Sequence, residues 1–180
     1  GYEHFMLKEI YEQPKTINDT ISPRIKDNDI VIEELNMSDE EIKEITKIHI
    51  VACGSAYHTG VTAKYVIEGL ARIPVEVDVA SEFRYRDPIL QKGNMVIVIS
   101  QSGETADTLA ALRESRERGF KVLGIVNVVG SSIAREADNV FYTLAGPEIA
   151  VATTKAYSTQ LIAGYCLAVQ FALVRGCISQ

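Results

Sequence analysis

The stretch VIVISQSGETADTL, residues 96–109, joins an apolar run to a cluster of hydroxyl side chains around a single glycine. The run alternates valine and isoleucine, which predicts a strand buried on both faces, as in a parallel sheet. Gly103 gives the backbone freedom to turn, and residues 103–118 have the pattern of a helix that ends at Gly119. The stretch therefore predicts a buried strand, a polar turn and a helix in direct succession.

The same succession of strand and helix is predicted along most of the chain. Strands are expected at 47–53, 75–80, 95–100, 121–128 and 139–144, and helices at 55–71, within 81–90, and at 103–118, 131–137 and about 153–175. Alternation of this kind predicts an α/β fold, a three-layer α/β/α domain around a five-stranded parallel sheet. The commonest order of five such strands is the flavodoxin-like 2-1-3-4-5. Its ligand crevice lies at the carboxyl ends of the first and third strands.

The first 46 residues do not show this alternation of strands and helices. FMLKEIYEQ, residues 5–13, predicts a helix that stops at Pro14, and residues 15–25 predict a second short amphipathic segment. We therefore expect two parts, an N-terminal helical segment over 1–46 that packs on an α/β domain formed by 47–180.

Composition narrows the class of protein. The 180 residues carry a net charge of −6, and this acidic balance argues against a nucleic-acid partner. Cys53, Cys166 and Cys177 have no CxxC spacing, which predicts free thiols in a reducing, cytoplasmic compartment. The three histidines show no metal-ligand spacing. The apolar run at 161–174 is shorter than the roughly 20 residues that span a bilayer, so it predicts a buried helix and no membrane partner.

The first of two polar turns at the predicted crevice is Ser100–Thr105. The opening N–H groups of a helix have no internal partner and carry partial positive charge, so they bind anions, phosphate above all. Ser100, Ser102 and Thr105 add hydroxyl donors. The Walker lysine of ATP and GTP sites is absent, which favours the phosphate monoester of a small metabolite. The alternative is plain helix capping by Ser102, with Thr105 merely polar.

The second polar turn is Cys53-Gly54-Ser55. Gly54 permits a close backbone approach, and Ser55 can cap the next helix or bind a ligand hydroxyl. Cys53 is either a nucleophile or a buried thiol. The second interpretation is favoured because the spacing places no histidine or acid beside it.

Two further segments receive a structural interpretation. The serine-rich turn at 129–136 follows the fourth strand, away from the crevice, and is expected to act mainly as a helix cap. Glu148 and Lys155 are expected to be solvated charges, although contact with a ligand is the alternative. Val151–Thr153 is a candidate rim of the site. No paired carboxylates and no histidine–acid pair emerge, so no catalytic residue is predicted.

These blocks together resemble the sugar isomerase (SIS) domain family. The blocks are ACGSAYHTG (52–60), ASEFRYR (80–86), SQSGETADTL (100–109), GSSIARE (130–136) and EIAVATTKAYSTQL (148–161). They follow the order of the family, and with FMLKEIYEQP the resemblance extends over nearly the whole chain. The resemblance implies a phosphosugar-binding site.

The resemblance also assigns individual residues. The Ser-Gln-Ser-Gly-x-Thr turn that holds the sugar phosphate in the family corresponds to Ser100, Gln101, Ser102 and Thr105. The segments that contact the sugar correspond to Cys53, Gly54, Ser55, Val151, Ala152 and Thr153. Where the family has the motif Cys-Gly-Thr-Ser, the last position of the motif is Ala56 in this chain, which removes one hydroxyl. The serine of the family's Val-Ala-Ser is Thr153 here, which keeps one.

The blocks are most similar to the first of two SIS domains in the amidotransferases of the family. The resemblance implies fructose 6-phosphate or glucosamine 6-phosphate as ligand, a homodimer, and neither a metal nor an organic cofactor. A glutaminase domain and a second SIS domain, which supplies catalytic residues in the family, are the implied partners. We therefore expect this chain to bind the sugar phosphate without turnover. The alternatives are a self-sufficient single-domain phosphosugar isomerase and a non-enzymatic sugar-phosphate sensor.

Overall fold

Strands and helices alternate through most of the computed structural model, which describes residues 1–180. In chain order the elements are α1 (Phe5–Ile21), β1 (Ile25–Lys26), β2 (Asp29–Ile30), α2 (Asp39–Lys43), β3 (Lys47–Ala52), α3 (Ser55–Ala71), β4 (Val75–Val79), α4 (Ala80–Tyr85), β5 (Asn94–Ser100), α5 (Ala106–Glu117), β6 (Val122–Val126), α6 (Ser132–Glu136), β7 (Asn139–Tyr142) and α7 (Lys155–Val174). Every strand and helix predicted between residues 47 and 180 is present, with ends shifted by a few residues.

The central sheet has the order β4-β3-β5-β6-β7, and all of its pairs are parallel. This confirms the predicted 2-1-3-4-5 topology. Ala52 at the end of β3 pairs with Ile99 near the end of β5, so the two polar turns leave the sheet side by side. The order reverses at this point, because β4 lies on one side of β3 and the later strands lie on the other.

Two apolar cores separate the sheet from its helices. Ile97 and Ile99 point into a core shared with α3 and α7. Val96 and Val98, between them in sequence, point into a second core shared with α4, α5 and α6. A strand places successive side chains on opposite faces, so the continuous β-branched run at 96–99 serves both cores at once.

The prediction that the first helix stops at Pro14 is wrong, because α1 continues from Phe5 to Ile21 as one helix. Proline lacks the N–H that would bond to the carbonyl of Ile10. The side chain of Gln13 replaces that donor, with its Nε2 3.1 Å from the Ile10 oxygen. The helix also packs along α7 with Glu9, Thr16 and Thr20 buried. Tertiary packing and the hydrogen bond from Gln13 therefore outweigh the free-energy cost of a proline inside the helix.

Replacing Pro14 with alanine is expected to raise the free energy of unfolding by about 1–2 kcal/mol, because alanine is a far better residue for a helix interior and restores an N–H donor. The gain stays below the full propensity difference because proline also restricts the unfolded chain. Urea denaturation measures the change. Lys15→Ala, at the next exposed position, is the control and is expected to change stability by less than about 0.5 kcal/mol. A loss of stability in Pro14→Ala would contradict the interpretation.

The segment before β3 is not purely helical. Strands β1 and β2 form a small antiparallel hairpin whose turn residues, Asp27 and Asn28, both have positive φ. Two consecutive positive φ values are typical of a type I′ hairpin turn, for which Asn and Asp are suitable residues. The division at residue 46 stays a prediction.

Arg24 joins this segment to the sheet. The residue is 4% exposed, and its guanidinium donates to the carbonyls of Thr20 at 2.6 Å and Tyr142 at 2.9 Å. It also pairs with Glu34 and lies 3.7 Å from the ring centroid of Phe141. The buried guanidinium therefore connects the end of α1 to β7 at the sheet edge.

Helix α7 is long and apolar enough to cross a membrane if length and composition alone are considered. In the structure it is a core helix, because Ala163, Leu167 and Phe171 are buried among α3 and the sheet. The core helix of a folded domain meets the same criterion, so α7 is weak evidence for a membrane span.

Candidate functional site

A cleft of about 290 Å³ opens at the carboxyl ends of β3 and β5. Its lining consists of Cys53, Ser55, Ala56, Ile99, Ser100, Gln101, Ser102, Thr105, Glu148, Ala150, Val151, Thr153 and Gln160. The volume is near the lower end of the range of roughly 300–1,000 Å³ for small-molecule sites. Of the residues assigned by the resemblance, Gly54 and Ala152 lie in the same turns but are not part of the lining. The structure thus brings the remaining eight together.

The Ser100–Thr105 turn is held by its own hydroxyl groups. Ser100 is 3% exposed, and its Oγ accepts the N–H of Gly103 at 3.0 Å and is hydrogen bonded to Oγ1 of Thr105 at 2.9 Å. Ser102 Oγ accepts the N–H of Glu104 at 3.2 Å. Ser100 therefore shapes the turn from a buried position, whereas Ser102 is only partly buried.

The capping alternative for Ser102 does not match the geometry of α5. The N-cap residue of that helix is Thr105, and no side chain caps it. The N–H groups of the first three residues of α5, Ala106 to Thr108, donate to no other protein group, and the first helical bond runs from Leu109 to the carbonyl of Thr105. The N-cap residue Thr105 lines the cleft, so the unpaired N–H groups and the positive end of the helix dipole begin beside a cleft with several hydroxyls, an arrangement that suits a phosphate.

Gly103 fits tightly against the start of α6. Its φ of +67° is in the left-handed region, and a Cβ at this position would lie 2.5 Å from Cβ of Ser131 and closer still to its Oγ. The Gly103 carbonyl accepts the N–H of Ile133 at 2.9 Å. Both the backbone conformation and the packing therefore require glycine here.

The serine-rich turn at 129–136 packs against the Ser100–Thr105 turn, at Gly103 and Glu104. Ser131 caps α6 by accepting the N–H of Ala134, as predicted. Ser132 donates its N–H to Oε1 of Glu104 at 2.8 Å, and hydrogen bonding from the side chain and then the backbone of Ser132 holds the pKa of Glu104 below its usual range. The turn thus acts on the candidate phosphate turn through Gly103 and Glu104 and does not line the cleft.

The Cys53-Gly54-Ser55 turn begins α3. Gly54 is its N-cap residue with φ +59° and ψ −134°, a conformation that is nearly exclusive to glycine, and a Cβ there would meet open space. Ser55 is therefore not the cap, and its side chain faces the cleft. Cys53 is half-buried, and its Sγ accepts the hydroxyl of Thr108 at 3.7 Å. No histidine or carboxylate hydrogen bonds to this thiol, so the nucleophile interpretation gains no support.

Glu148 and Lys155 are not simply solvated, so that expectation is wrong. Glu148 Oε2 accepts the N–H groups of Thr154 at 3.1 Å and Ala156 at 2.9 Å, which caps α7. Lys155 is 4% exposed, and its Nζ lies 2.6 Å from Oε2 of Glu12. This hydrogen bond holds the pKa of Glu12 below its usual range. The partner of Lys155 comes from α1, which local sequence does not reveal.

Gln160 is the polar residue of the cleft that the sequence analysis missed. It is 4% exposed on α7, and its Oε1 accepts the hydroxyl of Thr59 from α3 at 3.1 Å. The signal was a run of polar residues, STQ at 158–160, inside an otherwise apolar helix. Buried polar side chains of this kind are usually hydrogen bonded, and this one joins α3 to α7 beside the cleft.

One group of potential metal ligands occurs on β3 and on β4, which forms one edge of the sheet. His49, Glu76 and Asp78 have ligand atoms within 4.8 Å of one another. Both carboxylates already have cationic partners, since Lys47 lies 2.6 Å from Glu76 and Arg86 pairs with Asp78 at 2.7 Å. Burial lowers the pKa of His49. The group is an ion-pair network with a buried histidine beside it.

A second cavity of about 330 Å³ lies at the amino-terminal edge of the sheet, near Met95 and Val122. Its lining joins apolar side chains such as Leu35 and Phe120 to a few charged ones. It lacks the hydroxyl cluster and the open helix N-terminus of the cleft, so the cleft is the better candidate for a phosphorylated ligand.

Comparison with known proteins decides the family. The sequence profile of the SIS domain matches residues 41–170. The chain belongs to the SIS domain family. The chain is 63% identical over 180 residues to glutamine–fructose-6-phosphate aminotransferase (isomerizing) from Caldanaerobacter subterraneus subsp. tengcongensis and 61% identical over 181 residues to that from Clostridium tetani.

A solved structure extends the likeness. The C-terminal domain of glucosamine-fructose-6-phosphate aminotransferase from Francisella tularensis matches 99% of this SIS domain with a TM-score of 0.93 and 44% identity. The chain covers 50% of the chain in that structure. It spans 30% of the length of each of the two curated relatives, and the matches to them cover 99% and 100% of this chain. The activities in those names belong to longer proteins.

Proposed function

We propose that this SIS domain is the first isomerase domain of a glucosamine-6-phosphate synthase, the amidotransferase that converts fructose 6-phosphate and glutamine to glucosamine 6-phosphate and glutamate. The observation that carries the proposal is the uncapped N-terminus of α5 at the mouth of a hydroxyl-lined cleft. Identity of 53–64% to aminotransferases of this name over nearly the whole chain supports it.

In this proposal the two turns divide the ligand between them. The first-turn N–H groups of α5 and the hydroxyls of Ser102 and Thr105 hold the phosphate, with Gln101 beside them. The sugar lies toward Ser55 and the loop that carries Val151 and Thr153. The helix N-terminus and the hydroxyl donors supply hydrogen bonds and partial positive charge to the phosphate monoester, and the proposal includes no metal.

The proposal assigns binding and orientation to this domain, and proton transfer to groups outside it. The ionisable side chains in the cleft are Cys53 and Glu148, and the carboxylate of Glu148 is engaged in capping α7. A ketose–aldose isomerisation needs a base and an acid within reach of the substrate. We therefore propose that a second SIS domain supplies them, that a glutaminase domain supplies ammonia, and that the enzyme is a cytoplasmic homodimer.

Calorimetric titration of the chain with fructose 6-phosphate and with fructose tests this function. Fructose 6-phosphate is expected to bind and fructose is not, because the phosphate provides most of the contacts. Ser102→Ala is expected to weaken binding about tenfold through loss of one hydrogen bond to a charged group. The control is Ser22→Ala, which removes an exposed hydroxyl at the far end of α1 and should leave the affinity unchanged.

An isomerisation assay on the same samples separates the proposal from its alternative. Phosphate-dependent binding without turnover supports a binding domain of a synthase. Turnover by this chain alone would instead establish a self-sufficient phosphosugar isomerase. Equal affinity for fructose and fructose 6-phosphate, or no binding of either, would contradict the proposed site.

A further inference from the structure

We propose that Glu9 of α1 is a positioning residue that sets the conformation of the sugar-facing loop, residues 147–154. The proposal rests on the proposed function for its ligand, but its structural part concerns this chain alone. Glu9 does not line the cleft, so it acts through the loop.

The carboxylate of Glu9 is buried against the loop backbone. Glu9 is 2% exposed. Its oxygens accept the N–H of Ile149 at 2.7 Å and the N–H of Ala150 at 3.3 Å. No lysine, arginine or histidine forms an ion pair with it. A buried carboxylate without a cation is costly unless donors surround it, so the loop amides are the partners that stabilise it.

The loop has two anchors, and the predicted sugar contacts lie between them. Glu9 holds its first half at Ile149 and Ala150. Glu148 holds its end through the N–H groups that begin α7. Val151 has no contact that buries it, with a relative exposure of 105%, and regular secondary structure is absent from this stretch. Its position over the cleft therefore depends on the two carboxylates.

Helix α1 is itself fixed, which makes it a suitable support. One turn after Glu9, Glu12 pairs with Lys155 at 2.6 Å, and the neighbouring Gln13 accepts the hydroxyl of Ser158. Both partners belong to the first turns of α7. These contacts set the register of α1 against α7, and that register determines the position of the Glu9 carboxylate.

The test compares Glu9→Gln with the parent chain in two titrations, one with fructose 6-phosphate and one with inorganic phosphate. The affinity for fructose 6-phosphate is expected to fall about tenfold, because the neutral amide loses the charge that strengthens both loop hydrogen bonds and places a donor NH2 group where the second carboxylate oxygen accepted the N–H of Ala150. The affinity for inorganic phosphate is expected to stay within about twofold, because Glu9 makes no contact with Ser100–Thr105. The control is Asp19→Asn, the same charge change on the same helix, at a residue that pairs only with Lys15.

Amide hydrogen exchange of the free chain provides a readout that needs no ligand. Exchange at Ile149 and Ala150 is expected to accelerate in Glu9→Gln and not in Asp19→Asn. Unchanged exchange, or equal weakening of both ligands, would overturn the proposal, since the second result would indicate a general structural role. If the parent chain fails to bind fructose 6-phosphate, the proposed function fails, and the exchange experiment still decides whether Glu9 positions the loop.

Discussion

Gly103→Ala is expected to abolish measurable sugar-phosphate binding and to lower the free energy of unfolding by about 3 kcal/mol. Two costs combine at this position. The positive φ of Gly103 is unfavourable for alanine, and the new methyl group would lie 2.5 Å from Cβ of Ser131. A β-carbon close to its own backbone cannot move aside as the tip of a long side chain can. The turn must therefore shift, and its shift removes the candidate phosphate site.

The measurements are calorimetric titration with fructose 6-phosphate and urea denaturation followed by circular dichroism. Gly69→Ala is the matched control, because Gly69 is an exposed position of α3 where a Cβ meets nothing within 4 Å. Alanine there is expected to leave binding unchanged and to stabilise the protein by up to about 1 kcal/mol. Wild-type affinity in Gly103→Ala would show that the turn does not hold the phosphate in this conformation.

Arg24→Met is expected to lower the free energy of unfolding by about 3 kcal/mol, the second largest effect. Methionine keeps most of the apolar volume of the side chain but leaves the carbonyls of Thr20 and Tyr142 without their charged donor. The interaction with the ring of Phe141 is lost as well. The pair with Glu34 adds little to this sum, because that carboxylate is 35% exposed and solvent screens it.

Urea denaturation measures this loss, and Lys26→Ala is the control. Lys26 also pairs with a glutamate, Glu33, but both side chains are largely exposed, so a change below about 0.5 kcal/mol is expected. A similar small effect in both variants would mean that the N-terminal segment is not held to β7 through Arg24.

The candidate site was predictable in outline because its parts are local. Each polar turn follows directly from the strand before it, and the sheet order places the ends of β3 and β5 together. The role of each hydroxyl was not predictable. Ser100 and Ser102 are two residues apart in the same motif and both line the cleft, yet Ser100 is 3% exposed and Ser102 is only partly buried. That difference depends on the path of the backbone around Gly103.

The amino-acid sequence by itself determined the succession of elements, the 2-1-3-4-5 sheet and the two turns at its switch point. These features follow from side-chain periodicity and from short-range backbone preferences, which act over a few residues. Only the tertiary structure decided the course of α1 through Pro14, the burial of Lys155 and the contact of Glu9 with the loop. Their partners are brought together by packing of α1 on α7, although their positions in the sequence differ by 143 for Lys155 and Glu12 and by 140 for Ile149 and Glu9. No local pattern encodes such a pair, because burial and the identity of the partner exist only once the helices have packed.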